Sequence, residues 1–335
     1  MPNTNDKQLL LFSDVEENTY DESIKKTRNY LDELFKAVKQ YRSSKHYMEL
    51  LDFCTKFKSY SIFNNMLIYW QLPGAQYVLP AEEWRKKYNR IVKTDERPLI
   101  VLQPFGPVMF LYDISSTVPV DPNDDRIPIE CLEPYKCVNL PVTPTVYNTL
   151  LKNLPYFGIS LGEFQTGADY AGKLECSNDS DPMLIYEITS KNYKKSFKYH
   201  CQYTLKFSST QHDNTIKFAT IIHELGHLFL RHISCRYTDK WQHPRLQLSH
   251  AIKEFEAESV ASMVCAHQGI DSQSHKYLVN YCDNNSEIPD VSVDEIFRAV
   301  TQIEKLLRPM NIKDGLLYQL DKNFKEIYNQ ATKKP

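Results

Sequence analysis

At 335 residues the chain is long enough for two domains and a substantial buried core. Hydrophobic residues make up 42% and charged residues 24%, the balance of an ordinary soluble globular protein, which excludes wholesale disorder. A formal charge of −2 excludes a global pull toward nucleic acid or membrane, so such binding has to come from a local patch. Residues 1–20 read as a loose polar leader that is acidic and has no basic n-region. No stretch reaches the roughly 20 apolar residues of a spanning helix, and a cytoplasmic location is expected. The eight cysteines are scattered without a C-x-x-C pair, consistent with reduced thiols.

Ile24, Tyr30, Leu31, Leu34, Phe35 and Val38 recur at helical spacing and predict a helix over 22–41. Residues 47–72 predict one or two helices with a break at Ser59-Tyr60-Ser61, ending at Pro73-Gly74. A strand over 76–79, a short helix over 81–88 and two strands flanking the Phe105-Gly106-Pro107 turn follow. Prolines 119, 122, 128, 134, 141 and 144 then break all periodicity. This gives an amino-terminal domain over 21–118, a proline-rich linker over 119–145 and a second domain over 146–330. Beyond the linker come a short helix near 145–154, turn-rich strand material to about 209, and helices at about 214–233, 249–268 and 293–307. The fold class is α+β, a small helical and β-sheet domain followed by a mixed domain with its helices toward the carboxyl end.

Ile216, Ala219, Ile222, Phe229 and Ile233 form an apolar stripe on the 214–233 helix, which Asp213 or Asn214 can cap. His223 and His227 stand at i and i+4 on one face, the spacing at which two imidazoles meet one tetrahedral zinc ion. Glu224 is rotated off that axis, so its carboxylate can reach a metal-bound water as general base without competing for the metal. Gly226 removes a Cβ and lets another backbone pass close by.

On the helix capped at Ser249 and stopped at Gly269, Glu254, Ala257, Glu258, Ala261 and Cys265 share one face. Two carboxylates among small residues suit close approach to the histidine helix, and a buried carboxylate needs a metal or hydrogen-bonded partner. Glu254 is the expected third ligand. Glu258, one turn on, then accepts the free ring N–H of a liganding histidine, and spacing alone also permits the reverse. Glu256 is expected to point away and be solvated, and His232, His243 and His250 are expected at the surface or at helix ends. Tyr170, His200 and His212 are candidates for stabilising an oxyanion, and the strand over 201–207 for aligning a substrate.

The segment TIIHELGHLFLRH followed by EFEAESVASMVCAHQGI resembles the ImmA/IrrE-type and ArdC-type zincin metallopeptidases. The resemblance implies a zincin-like fold and a Zn2+ cofactor held by His223, His227 and Glu254. Tyr60, Ser61, Asn64, Gln71, Trp84, Lys93 and Tyr112-Asp113-Ile114-Ser115 resemble the ArdC amino-terminal domain and imply single-stranded DNA as a partner. Trp84, Arg85, Lys86, Lys87, Tyr88, Arg90, Lys93 and Arg97 have the composition of a base-stacking, phosphate-tracking platform; a solvated helix face with a core tryptophan has the same composition.

The leading expectation is a zinc metallopeptidase cleaving a regulatory intracellular protein, linked to DNA binding. The alternatives are an antirestriction-type DNA-binding protein whose metal site is structural or vestigial, and a zinc hydrolase acting on a non-peptide bond.

Overall fold

The computed structural model describes residues 44–103, 106–123, 127, 131, 140–164, 172–177, 183–190, 193–208, 212–233, 244–270, 272–284 and 287–332. The leader, the 22–41 helix, most of the linker, Tyr170 and His243 lie outside the described residues.

The first part alternates helix and sheet. Helices α1 (Ser44–Cys54) and α2 (Ile62–Gln71) flank the expected break, and Ser61 caps α2 by accepting from Asn64 N. After β1 (Val78–Leu79) come α3 (Ala81–Tyr88), β2 (Arg90–Val92), β3 (Leu99–Gln103), β4 (Gly106–Asp113) and β5 (Thr117–Pro119). β1 is shorter than the expected 76–79 because Asp113 Oδ1 accepts from the amides of Gln76 and Tyr77 at 2.7 and 2.9 Å. The sheet order is β1-β4-β3, with β2 and β5 paired separately. The outer edge of β3 is closed by side chains: the Asn64 amide pairs with Leu102 N and O, and the Gln71 amide with Ile100 N and O. Each carboxamide supplies the donor and acceptor that a neighbouring strand would bring.

The second part begins with α4 (Pro144–Asn153), capped by Thr143. Strands β6 (Ile159–Phe164), β7 (Gly172–Cys176) and β10 (Tyr203–Ser208) form a sheet in the order β6-β10-β7. β10 runs parallel to β6 and antiparallel to β7, so β10 is central and β7 lies at an edge. β8 (Met183–Ser190) and β9 (Tyr193–His200) form a separate hairpin. Helices α5 (Asn214–Phe229), α6 (His250–His267), α7 (Gln273–Asn284), α8 (Val293–Leu306), α9 (Leu316–Leu320) and α10 (Lys322–Thr332) complete the chain. The arrangement is α+β as expected, and α7, α9 and α10 were not foreseen. Among the described residues no helix is long and apolar enough to cross a membrane.

α6 is the axis of the helical layer. Phe255, Ala257, Ser259, Val260, Ala261, Ser262, Met263, Val264 and Cys265 are all buried, so the helix is covered on every side. α1, α5, α7 and α8 supply that cover. Tyr47 of α1 donates to Ser259 Oγ at 2.8 Å, and one apolar cluster includes Tyr47, Leu50 and Phe57 together with Leu225, Phe255 and Val260. α5 crosses α6 closely at Gly226, where an added Cβ would lie 3.4 Å from both Cα and O of Ala257 and 3.5 Å from Cβ of Val260. Gly226→Ala is therefore expected to be tolerated. Gly226→Val should lower unfolding free energy by about 1–3 kcal/mol in denaturant titration, because a branched side chain forces the helices apart; equal stability of the two variants would show that the approach is slack.

Candidate metal centre

α5 starts at Asp213, whose carboxylate accepts from Thr215 N at 2.7 Å, and ends four residues short of the expected position. Arg231 takes a left-handed φ of 64°, its amide bonds Leu228 O, and the His232 amide bonds back to His227 O at 2.9 Å. This six-to-one closure folds His232 back over the end of the helix. An ion pair with Glu295 anchors the Arg231 side chain. α6 starts at the Ser249 cap and closes the same way, with Gly269 left-handed and Ile270 N bonded to Cys265 O.

His223 Nε2 and His227 Nε2 lie 3.2 Å apart. Glu254 faces both, Oε2 lying 3.5 Å from His223 Nε2 and Oε1 3.4 Å from His227 Nε2. A tetrahedral zinc site with arms of about 2.0–2.1 Å has ligand-to-ligand edges of about 3.4 Å. The triangle His223, His227 and Glu254 therefore has the dimensions and donor types to hold a metal ion. Glu258 faces the other side of His223, with Oε1 3.5 Å from Nδ1. Geometry thus separates two carboxylates that spacing alone left interchangeable.

The field of the site suits a cation. Burial alone would lower the His223 imidazole, but hydrogen bonds to Glu254 and Glu258, with the charges of Glu258 and Glu224, push it up to about 10. Burial would raise the Glu254 carboxyl, yet its close contacts with the His223 and His227 rings, and their charge, hold it well below the usual carboxylate range. His250 is mostly exposed at the start of α6, its Nδ1 3.4 Å from Glu254 Oε1, at the open side of the triangle. Tyr277 of α7 is half-exposed; burial, then the charges of Glu258 and Glu254, push its phenol up. No sequence signal singled out Tyr277, because α7 itself was not foreseen.

Glu224 sits beside the triangle, its Oε2 accepting from the Leu174 amide of β7 at 3.0 Å. The strand reaches the helix because Gly172 has no side chain; a Cβ there would fall 2.4 Å from Thr220 Cγ2. The expectation that residues 201–207 align a substrate is corrected: β10 is paired on both sides, whereas the Leu174 amide on β7 points toward Glu224. His212 precedes the α5 cap, about 16 Å along the helix from His223, and so is not brought to the site, while His200 is exposed at the end of β9.

On the far side of α6 the expectation of a solvated Glu256 is overturned, whereas His232 lies at a helix end as expected, though buried. Glu256 is 0% exposed, and His232 is buried at 6%. Glu256 accepts from Arg245 through both oxygens, at 2.7 and 2.8 Å, from Ser292 N at 2.8 Å, and lies 2.9 Å from His232 Nε2. Burial would raise its carboxyl, but the hydrogen bonds from His232 and Arg245 and the Arg245 charge hold it below its ordinary value. Burial likewise lowers the His232 imidazole, against the pull of Glu256.

The comparisons come back empty. No protein-family model, no curated protein and no solved structure matches the chain.

The residues expected to touch nucleic acid differ in exposure. Trp84 is 0% exposed, donates to Tyr112 O at 2.8 Å and packs against Tyr77 and Tyr88, so it is a core residue and no stacking platform. Arg90 is buried and bonds Thr117 Oγ1 and O, which removes it from any phosphate contact. Lys87 pairs with Glu83, and Lys93 donates to Ser115 O. Tyr88 is half-buried with its hydroxyl 3.1 Å from that of Tyr77, while Arg85, Lys86 and Arg97 are exposed.

Glu256→Gln breaks a buried charge pair and should cost about 3 kcal/mol of stability at neutral pH. The sign with pH follows from the lowered carboxyl: the wild-type advantage is fully present above the ordinary value of 4.5 and is lost as pH falls through the lower folded value. Thermal melts of both proteins from pH 7 to 3 should therefore converge below about 4.5; a gap that widens on acidification would contradict the arrangement.

Proposed function

We propose that the chain is a zinc-dependent peptidase of zincin type, hydrolysing a peptide bond in a protein substrate. The observation that carries the reading is the coincidence of three features at one point. Two imidazole nitrogens and a carboxylate lie at tetrahedral spacing. A further carboxylate, Glu224, stands close enough for its charge to act on His223. That carboxylate meets an edge strand running antiparallel to its neighbour.

The donor set of two imidazoles and one carboxylate, with a side left open to solvent, suits zinc in a catalytic arrangement. Zinc held there would polarise the scissile carbonyl and acidify water. Glu224 takes the proton from the attacking water and delivers it to the leaving amine, the shuttle that peptide cleavage requires. Glu258 holds His223 through Nδ1, leaving Nε2 to face the metal position. The edge of β7 offers backbone groups to an extended peptide. The resemblance to ImmA/IrrE-type and ArdC-type proteins points to an intracellular regulatory protein as substrate class.

Elemental mass spectrometry should find about one zinc per chain in wild type and in Glu224→Gln, with most of it lost in Glu254→Ala. Against a mixed peptide library and denatured protein substrates, Glu224→Gln should cut hydrolysis by roughly 10²–10⁴-fold. Cleavage that survives Glu224→Gln would sink the peptidase reading, and zinc retained in Glu254→Ala but lost in Glu258→Ala would exchange the two glutamates.

A further inference from the structure

The Nδ1 atoms of His227 and His232 lie 3.0 Å apart. Two imidazole nitrogens share a hydrogen bond only when one carries the proton and the other a lone pair. The far side of His232 settles which is which. There Nε2 meets Glu256 Oε2 at 2.9 Å, in a carboxylate already bound by both terminal nitrogens of Arg245 and by the Ser292 amide. A carboxylate paired to a guanidinium only accepts, so His232 Nε2 carries the hydrogen. Arg245 already offsets the Glu256 charge through both oxygens, so the His232 ring carries that one hydrogen and presents a bare lone pair at Nδ1, to which His227 donates from its own Nδ1. The lone pair of His227 is left on Nε2, the atom that faces His223 Nε2 at 3.2 Å and Glu254 Oε1 at 3.4 Å.

We infer that His232 is a positioning residue: backed by Glu256 and Arg245, it locks His227 in the tautomer and orientation that present Nε2 to a divalent cation. The inference rests on the reading of His223, His227 and Glu254 as metal ligands. It gives the two histidines unlike supports. His223 has a carboxylate directly behind it, whereas His227 has a neutral imidazole that relays the orientation of a carboxylate one residue further away. The turn at Arg231 makes this relay possible, because the left-handed residue swings His232 back against the ring five positions earlier.

Two measurements test it. Long-range nitrogen–proton correlation spectra of the wild-type chain supplied with zinc should show His232 with a protonated Nε2 and a bare Nδ1; a bare Nε2, or protons on both nitrogens, overturns the inference without recourse to any variant. Cobalt titration of the metal-free chain, followed by visible absorption, supplies the second readout. His232→Gln retains an oxygen to accept from His227 and an N–H for Glu256, and should bind like wild type. His232→Phe fills the space without either bond and should bind about 10–100-fold more weakly, with an altered absorption band. Equal affinity of wild type and His232→Phe overturns the inference and leaves the metal centre standing. A wild-type chain that takes up neither cobalt nor zinc removes the metal centre and the inference together.

Discussion

The closeness of α5 and α6 sets the dimensions of everything at the centre. Packed helices ordinarily lie 8–10 Å apart, at a distance fixed by the side chains between them. Here the side chains between them are Gly226 on one helix and Ala257 and Val260 on the other, with Ala261 and Cys265 continuing the small stripe of α6. Glutamate is short, so a carboxylate on α6 reaches the ring nitrogens on α5 only if the two backbones nearly touch. Glu254 and Glu258 stand one turn apart on that stripe, and each meets a different nitrogen of His223. The spacings of 3.2, 3.5 and 3.4 Å among the two imidazoles and the two oxygens of Glu254 are thus a consequence of helix packing.

Glu256 works from another direction on the same helix, about 200° around from Glu254. Its burial carries a desolvation cost that only well-formed partners offset. The partners come from three places: His232 beyond the end of α5, Arg245 in the segment before α6, and the Ser292 amide at the cap of α8. One buried charge therefore fixes the mutual placement of three segments that meet nowhere in sequence. The same Ser292 caps α8 through its side chain, accepting from Glu295 N, while Glu295 holds Arg231 at the turn that places His232. The support of His227 and the start of α8 are built from one set of contacts.

What the sequence made legible is what depends on spacing within one element. His223, Glu224 and His227 follow from positions on a single helix, and Glu254 with Glu258 from the small stripe on another. The cap at Ser249, the choice of Asp213 or Asn214 before α5 and the stop at Gly269 follow from local chemistry. The misreadings all involve partners distant in sequence. Glu256 looked solvated because Arg245 and Ser292 are invisible to helical periodicity. For Trp84 composition left a stacking platform and a core tryptophan open, and the structure gives its indole to Tyr77, Tyr88 and the Tyr112 carbonyl. The strand over 201–207 was the candidate for aligning a substrate, yet the order β6-β10-β7 threads it between two others. Periodicity reports which face of an element is apolar; it does not report which element will cover that face.

The placement of β7 bears on how Glu224 can serve as a base. A carboxylate facing an arginine or lysine would spend its charge in an ion pair and point its lone pairs at that partner. The partner of Glu224 among the described residues is instead the neutral amide of Leu174, on the strand that Gly172 allows to touch α5. A neutral donor orients one oxygen and leaves the carboxylate its charge, so the other oxygen remains available toward the triangle of His223, His227 and Glu254. On the peptidase reading the same strand that would hold an extended substrate also sets the angle of the base. Substrate backbone, proton acceptor and metal position are then registered to one another through a single main chain.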